Sequence, residues 1–441
     1  SLVLRSAGCG WILASGRAET LRELLPATAG TSARLGWLGS LDEAVGQGLA
    51  PDFADADVAR EPPLPPPAPR GAAELAHLLY TSGSTGLPKG VAVRHASVIR
   101  FVEWAVRHFR IEPGERLSAH SPLSFDLSTF DLFGAFAAGA ALHLVPPELN
   151  LLPHRLADFI RDEALTQWFS VPSLLTYMAH FDVVRSGDFP ALRRLLWCGE
   201  VFPTAALAYW MQRLPHVAFT NLCGPTETTI ASSYYDVPGC PDPAGDPVPI
   251  GTAIDGEELL VLGPALAPCP AGEVGELYIR GVGLSPGYWR DEARTREAFL
   301  ADGEGGRLYR TGDLARRGAD GLIHLVGRTD SQIKSRGYRV ELGEIEHAVL
   351  STGLVAEAVV VSVDSGRFEG QAICCAYVAN GSGTASAAEL RRAASRALPA
   401  YMIPARWQAY ERLPRNGNGK LDRRQVREAF AAPPVALAAA G

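Results

Sequence analysis

From residue 75 onward, short apolar runs alternate with longer amphipathic stretches, and this alternation restricts the possible fold more than any other feature of the sequence. The short runs have the length and apolar content of buried strands: LAHLLYT (75–81), ALHLVP (141–146), QWFSVP (167–172) and LRRLLWCGE (192–200). The longer stretches have helical periodicity: HASVIRFVEWAVRHF (95–109) and PHRLADFIRDEAL (153–165). Strands that alternate with helices predict parallel sheets covered by helices.

The pattern changes after residue 235 and again near residue 330. After residue 235, short apolar runs between glycine-rich turns favour antiparallel or barrel-like strand pairing: EELLVLG (257–263), GELYIRG (275–281) and GLIHLVG (321–327). A mixture of helix-like and strand-like stretches returns after the polar turn GRTDSQ. We therefore predict an α/β chain with a large N-terminal domain of helix-covered β-sheets at 1–329, a barrel-like subdomain within it at 235–329, and a small α+β C-terminal domain at 330–441.

Composition and charge argue against several classes of protein. With 441 residues, 47% of them hydrophobic, the chain is globular and long enough for more than one domain. Its diffuse net charge of −7 provides no footprint for nucleic acid. The absence of an apolar run of bilayer length and of a signal-peptide pattern predicts no membrane partner and a cytoplasmic location. Seven scattered cysteines without zinc spacing agree with reduced intracellular thiols.

The segment YTSGSTGLPKG (80–90) combines three glycines, two serines, two threonines and one lysine. Glycines let backbone N–H groups approach a ligand closely, hydroxyls add donors, and a lysine meets phosphate charge. The Walker A pattern does not fit, because its second glycine, counted from Gly83, falls on Pro88, and Lys89 is followed by Gly90. Taken alone, the segment is either a phosphate loop of another kind or a flexible turn.

The segment GLSPG (283–287) fits the GxSxG pattern of the nucleophile elbow in serine hydrolases. That elbow requires a helix directly after the serine, whereas the segment GYW and a polar stretch follow here. The proline after the serine also removes a backbone N–H that the oxyanion hole uses. A tight loop is therefore the better interpretation.

Seven motifs, in their order along the chain, resemble those of the adenylation domains of nonribosomal peptide synthetases: YTSGSTGLPKG (80–90), NLCGPTE (221–227), GELYIRGVGLSPGYW (275–289), YRTGDL (309–314), GRTDSQIKSRGYRVELGEIE (327–346), LPAYMIP (398–404) and NGNGKLDR (416–423). The resemblance extends to the wider adenylate-forming enzymes, which include acyl-CoA synthetases, luciferases and D-alanine–carrier-protein ligases. It implies a two-step reaction, in which a carboxylate and ATP give an acyl-adenylate and pyrophosphate, and a thiol then takes the acyl group as a thioester.

The resemblance also implies roles for individual residues. The residues expected to bind ATP are Thr81, Ser82, Gly83, Ser84, Thr85, Gly86, Lys89, Asn221, Cys223, Gly224, Asp313 and Arg328. The catalytic residues are expected to be Lys420, Thr226 and Glu227, with Glu227 holding Mg²⁺. Asp313 is expected to bind the ribose, and Lys420 to bridge the carboxylate and the α-phosphate. The C-terminal domain is expected to rotate about Asp330, which removes Lys420 and brings in the segment around Gly337 for thioester formation.

The predicted substrate is a small, neutral, apolar amino acid, because Asp126 in SFDLSTFDLFG matches the aspartate that binds the substrate ammonium in this family. The remaining pocket positions, matched through the motifs, carry no charge: Leu127, Phe130, Phe169, Leu196, Cys198, Leu222, Ile230 and Ala231. The stretch LLWCGEVFP around Cys198 resembles that of D-alanine–carrier-protein ligases, which favours alanine or another small residue such as serine, valine or proline. Cys198 as a mere packing residue is the alternative.

Two departures from the family pattern matter. Cys223 stands where the family usually has an aromatic residue that stacks on adenine, so another surface must hold the base. The chain also has no counterpart of the family's earliest motifs, so we expect it to begin inside the large domain. It has no recognisable carrier domain, so we expect it to load the phosphopantetheine thiol of a separate or following carrier protein. Coenzyme A is the rival acceptor, and a catalytically silent nucleotide-binding module is the third alternative.

Overall fold

A computed structural model describes the protein over residues 2–16, 33–46, 48–65, 68–83, 88–303, 305–330, 332–365, 371–380, 385–415 and 421–431. The strands are β1 Trp11–Ala14, β2 Arg34–Trp37, β3 Phe53–Ala54, β4 Leu75–Thr81, β5 Lys89–Arg94, β6 Arg116–Ala119, β7 Ala141–Leu144, β8 Gln167–Ser170, β9 Arg194–Trp197, β10 Ala218–Cys223, β11 Ser233–Asp236, β12 Thr252–Ala253, β13 Glu257–Leu262, β14 Val274–Gly281, β15 Gly287–Tyr288, β16 Phe299–Ala301, β17 Arg307–Arg317, β18 Ile323–Arg328, β19 Gln332–Ser335, β20 Tyr338–Glu341, β21 Val355–Asp364, β22 Gln371–Ala379 and β23 Arg406–Ala409.

The α-helices are α1 Leu2–Ala7, α2 Leu41–Gly46, α3 Asp55–Val58, α4 His95–His108, α5 Leu127–Ala138, α6 Pro153–Asp162, α7 Pro172–His180, α8 Thr204–Arg213, α9 Glu292–Ala298, α10 Leu342–Leu350, α11 Ala387–Ala394 and α12 Arg423–Ala431. Short 3₁₀ turns lie at Pro147–Leu151, Thr226–Thr228, Pro264–Leu266 and Ala400–Met402. The strands and helices expected from the apolar runs are therefore present, and the described part of the proline-rich stretch at 61–71 has no helix or strand.

A seven-stranded sheet forms the centre of the N-terminal part, in the order β12-β11-β10-β9-β8-β6-β7. Strands β6 to β10 pair in parallel, as the alternation with helices predicts. Every residue of β8 and β9 is buried, and successive side chains point to opposite faces. Trp168 and Trp197 therefore pack on one face with α6, α7 and α8, whereas Phe169 and Leu196 pack on the other with α4 and α5.

The strands after residue 250 pair mainly in antiparallel fashion. Strands β13, β14, β17 and β16 form a sheet in that order, and β18 pairs with β17. A second small sheet, β15-β5-β4, joins the glycine-rich segment at 275–289 to the strands on either side of the phosphate loop. Segments far apart in sequence, the phosphate loop and the YRTGDL motif, thus lie on neighbouring sheets.

The residues after Asp330, which we call the C-terminal region, form the hairpin β19–β20 and a three-stranded sheet, β21-β22-β23. Arg336 and Gly337 form the two-residue turn of the hairpin, and both have positive φ angles, 54° and 80°. A Cβ at Gly337 would lie 2.7 Å from the Val171 side chain, so glycine is required both by the turn and by the close approach to the central sheet.

Two further sequence expectations concern cysteines and membranes. All seven cysteines lie in the described ranges, and each is a free thiol. Within those ranges, the helices are too short or too polar to cross a lipid bilayer.

Candidate active site

A cavity of about 120 Å³ lies where the central sheet, the β17–β18 pair and the hairpin of the C-terminal region meet. It opens at the carboxyl ends of β9 and β10, the edge at which parallel sheets bind ligands. The cavity wall brings together many of the residues predicted from the sequence: Thr81, Ser82, Asp126, Leu127, Cys198, Cys223, Gly224, Thr226, Asp313, Arg328 and Gly337. These residues come from several separate segments of the chain, so only the fold makes them neighbours.

Glu227 is the centre of a charged cluster at one end of the site. Its side chain is fully buried in the 3₁₀ turn after β10. Lys89 Nζ donates to Oε1 at 2.9 Å, and the Tyr288 hydroxyl donates to the same oxygen at 2.8 Å. Arg339, from the C-terminal region, donates to Oε2 at 2.9 Å. Burial alone raises the carboxyl pKa, but the Arg339 and Lys89 cations outweigh it and hold the pKa of Glu227 well below its usual range.

The described part of the phosphate loop lies beside this cluster and contacts the C-terminal region. The Ser82 hydroxyl donates to the Arg339 carbonyl oxygen at 2.5 Å, and the Gly83 N–H donates to Glu344. Thr81 Oγ1 is buried and has no hydrogen-bond partner among the residues that the structure describes. Ser84, Thr85 and Gly86 fall outside the described residues, as does Lys420. We call Ser82, Gly83, Lys89, Glu227 and Arg339 the phosphate side.

The predicted ribose carboxylate, Asp313, lies opposite Arg328 in the β17–β18 ladder, and the two side chains form an ion pair. Arg328 also pairs with Asp330 at 2.7 Å. Burial alone would raise the pKa of the Asp330 carboxyl, but the pairing with Arg328 lowers it below its usual value. The predicted hinge residue is thus tied to the predicted ribose-binding residues. The side-chain amide of Asn221, in contrast, donates to the Pro249 carbonyl at 2.9 Å, and Asn221 is not part of the cavity wall.

Asp126 also lines the cavity and is hydrogen-bonded to Thr226, and we call Asp126, Leu127 and Cys198 the amine side. The residue is half-buried, and it lines the cavity. Burial raises the pKa of Asp126 to about 6, and a hydrogen bond with Thr226 opposes this shift. Among the described residues, no cation pairs with Asp126. A carboxylate of this kind is completed by a positively charged ligand.

The eight predicted pocket residues lie together in one apolar cluster, each of them 4% exposed or less. Only Leu127 and Cys198 reach the cavity wall. The other six pack behind it, with the rings of Phe130 and Phe169 edge to face at 5.7 Å. Burial raises the pKa of Cys198, so this residue stays a neutral thiol. The space beyond Asp126 is therefore short and apolar in this arrangement.

Comparison with known proteins assigns the family. The sequence model described as "AMP-binding enzyme" matches residues 3–289, and that described as "AMP-binding enzyme C-terminal domain" matches residues 344–420. The chain belongs to the AMP-binding enzyme family. This agrees with the resemblance to adenylation domains in the sequence, and the predicted fold class and ligase class are confirmed.

Relatives within the family include both single-substrate ligases and large synthetases. An L-proline–[L-prolyl-carrier protein] ligase of Pseudomonas fluorescens is 39% identical over 79% of this chain and 68% of that protein. Tyrocidine synthase 3 of Brevibacillus parabrevis is 37% identical over 87% of this chain, which spans only 6% of that synthase. The structure of the Vibrio cholerae adenylation domain AlmE in complex with glycyl-adenosine-5′-phosphate matches 97% of this chain and 81% of its own, with a TM-score of 0.80 and 27% identity.

Several residues in the site of this AMP-binding enzyme were not predicted from its sequence. Arg339 and Tyr288 bind Glu227, and Lys334 lines the cavity. Burial alone would lower the pKa of the Lys334 ammonium group, but nearby Cys223 and Asp313 raise it above its usual value. The sequence offered a signal for Lys334 and Arg339, because they flank Gly337, which the motifs had already identified. In the structure the two residues are register partners in the hairpin that turns at Gly337.

Proposed function

We propose that this chain is an adenylation domain that activates a small, neutral amino acid and passes it to the phosphopantetheine thiol of a carrier protein. In the first step, the amino-acid carboxylate attacks the α-phosphorus of ATP, and the bond to pyrophosphate breaks. In the second step, the thiol sulfur attacks the acyl carbon, AMP leaves, and the thiol proton is lost. The observation that carries this proposal is a half-buried Asp126 without a cation among the described residues, in one cavity with the Asp313–Arg328 pair and with Ser82 and Arg339 of the phosphate side.

Each group of residues in the site has chemistry that suits one part of this reaction. The carboxylate of Asp126 would accept hydrogen bonds from the substrate ammonium, which fixes the substrate carboxylate toward the phosphate side. Asp313 would accept from the ribose hydroxyls. Lys89 and the serine, threonine and glycine groups of the phosphate loop would face the phosphates. Lys420 is assigned to the attacking carboxylate and the α-phosphate by its motif alone.

Mg²⁺ prefers one or two protein carboxylates together with phosphate oxygens, and Glu227 with Thr226 is a donor set of that kind. Bound there with ATP, it would neutralise phosphate charge. In the arrangement described, however, Lys89, Tyr288 and Arg339 already contact both Glu227 oxygens, and the ion does not fit beside them. No group of three or more histidine, cysteine or acidic side chains suited to a metal occurs among the described residues.

We infer a small and uncharged substrate side chain, because the neutral Leu127 and Cys198 line the cavity with Asp126 and a charged group against them would be buried without a partner. Alanine, glycine and proline satisfy this limit. The named relatives support it, since one ligase acts on L-proline and the AlmE structure contains a glycyl-adenylate.

We further propose the domain division at 1–329, with the subdomain at 235–329, and 330–441, with a hinge at Asp330. The hairpin that places Gly337 and Lys334 in the cavity belongs to the C-terminal region, which supports a state poised for thioester formation. The carrier protein is either a separate protein or a following part of a longer chain. The free thiols support a reducing, cytoplasmic location.

Exchange of radiolabelled pyrophosphate into ATP, measured with a panel of amino acids and of acids without an amino group, tests the first step. We expect exchange with small neutral amino acids only. Lys420→Ala should abolish exchange and leave thioester formation from supplied aminoacyl-adenylate intact. Exchange only with acids lacking an amino group would overturn the role of Asp126. Transfer to coenzyme A rather than to a carrier protein would favour the acyl-CoA ligase alternative.

A further inference from the structure

A second and much smaller cavity lies beside the turn at residues 228–231 and is also lined by helix α4 and the loop after β14. Its volume is about 10 Å³, close to the least space that holds one water molecule. The oxygen-bearing side chains in its wall include Ser97, Thr228, Thr229 and Glu257. Among the described residues, this cavity shares no wall residue with the active-site cavity.

The carboxylate of Glu257 has no cation beside it in this wall. The residue is deeply buried, with 7% of its surface exposed. Oε1 accepts a hydrogen bond from the Gly283 N–H at 2.6 Å, whereas Oε2 is buried and has no hydrogen-bond partner among the residues that the structure describes. Burial raises the pKa of this carboxyl to about 7, and the Gly283 hydrogen bond opposes the shift. Buried carboxylates in proteins are paired or bound to a metal ion, so Oε2 lacks a partner of that kind.

Two charged residues also line the cavity, but both have other partners near the surface. The Arg100 side chain is 67% exposed and lies 3.9 Å from the Glu103 carboxylate. The Asp255 side chain is 74% exposed and accepts a hydrogen bond from Arg107 at 3.0 Å. A cation that compensates Glu257 would therefore come from solution.

Two hydroxyl groups in the same wall already donate their protons elsewhere. Ser97 donates to the Val282 carbonyl at 3.0 Å, and Thr229 donates to the Gly283 carbonyl at 2.7 Å. Their oxygen lone pairs remain for a positively charged ligand. Carboxylate and hydroxyl oxygens are the ligands that hard metal cations prefer. One carboxylate balances one positive charge, and Mg²⁺ would need space for the waters that it retains, so the set favours a monovalent ion.

The turn beside the cavity is strained and needs support from its surroundings. Thr229 and Ile230 are β-branched, yet their φ angles are 63° and 71°, in the left-handed region. Such a backbone persists only where neighbouring groups hold it. Both Thr229 and Glu257 bind the peptide groups of Gly283, so the wall of the small cavity is what holds the turn.

We propose that the small cavity binds one monovalent metal cation, Na⁺ or K⁺, through the carboxylate of Glu257 and the hydroxyl oxygens of Ser97 and Thr229, and that the ion stabilises the turn at Thr229 and Ile230. The inference goes beyond the proposed function, because neither the substrate nor the magnesium ion enters it. With the ion bound, the charge of Glu257 is compensated inside the protein.

The first experiment measures Tm of the unaltered protein in KCl, NaCl and tetramethylammonium chloride, whose cation is too large for the cavity. The pH is kept near 8, above the pKa of Glu257, and the three salts have equal ionic strength, which keeps general screening the same. We expect Tm to be about 2–4 °C higher in at least one of the alkali chlorides, because an ion that binds only the folded state stabilises it. Equal Tm values in the three salts would overturn the inference and leave a Glu257 with only water beside it.

The matched pair of variants is Glu257→Gln and Glu258→Gln. Glu257→Gln keeps an oxygen for the Gly283 N–H and removes the charge, so we expect its Tm to be the same in all three salts. Glu258→Gln removes a neighbouring carboxylate that is 55% exposed, and this variant should keep the wild-type difference. A Glu257→Gln protein that kept the full difference would place the ion elsewhere and overturn the assignment.

Amide hydrogen–deuterium exchange of the unaltered protein tests the site without any variant. We expect exchange in residues 228–231 and 282–285 to be several-fold slower in the stabilising alkali chloride than in tetramethylammonium chloride, while the buried strand β9 remains equally protected in both. Equal exchange of these two segments in the two salts would contradict the proposed site, even if the Glu257→Gln protein failed to fold.

Discussion

The phosphate side and the amine side differ in whether a cation of the protein compensates the charge of their carboxylate. Glu227 has cations on both oxygens, one of them supplied by the C-terminal region, and its charge is compensated before any ligand arrives. Asp126 has the Thr226 hydroxyl and no cation among the described residues, and its carboxyl pKa is raised to about 6. A ligand must therefore displace protein groups on the phosphate side, whereas it supplies a missing charge on the amine side.

The largest expected effect comes from removing the carboxylate of the phosphate side. Glu227→Gln leaves Lys89 and Arg339 buried beside a neutral amide, and we expect the free energy of unfolding to fall by about 3–5 kcal/mol. Unfolding in denaturant, followed by tryptophan fluorescence, measures this. The matched control is Glu258→Gln, which removes a carboxylate that is 55% exposed in its pair with Arg280 and should change stability by less than about 1 kcal/mol. Equal losses for the two variants would contradict the comparison.

Removing the carboxylate of the amine side should leave the stability of the protein unchanged and lower its activity. Asp126→Asn deletes a half-buried charge for which the described residues offer no cation, so the free protein should lose no stability. The substrate ammonium, in contrast, would enter the site without its counter-ion, and we expect kcat/KM for the amino acid in pyrophosphate exchange to fall roughly 10²- to 10³-fold. A destabilised protein with nearly normal exchange would show that Asp126 serves the fold rather than the substrate.

Much of the fold could be predicted because local patterns decide it. The buried runs around Trp168 and Trp197 predict central strands, and the alternation with helices predicts their parallel pairing. The motifs also identified Asp126, Asp313 and Arg328 as candidates, and the structure places all three in the cavity wall. Such predictions succeed where the chemistry lies within one motif.

Contacts between distant motifs could not be predicted in the same way. Arg339 reaches Glu227 across 112 positions, and the pairing depends on how the C-terminal region docks rather than on any local pattern. The composition of the cavity wall also depends on packing, since Phe130 and Phe169 meet edge to face in the core and do not reach the wall that Leu127 lines. Sequence identified these residues as a set, but only the packed core determines which of them a ligand can touch.

The smallest expected effect is a pH dependence that arises from the amine side. Because the pKa of Asp126 is raised to about 6, its carboxyl binds a proton as the pH falls through that value, and the neutral acid no longer attracts an ammonium group. We therefore expect KM for the amino acid to be nearly constant above pH 7 and to rise about 5-fold between pH 6 and pH 5, since the ionised fraction of a group with this pKa falls from about one half to about one eleventh over that unit. Glu227 should add no step in this window, because its pKa is held far below it. Pyrophosphate exchange at saturating ATP, measured from pH 5 to 8, checks this. Asp126→Asn should lose the inflection, and an inflection that persisted in that variant would assign the titration to another group.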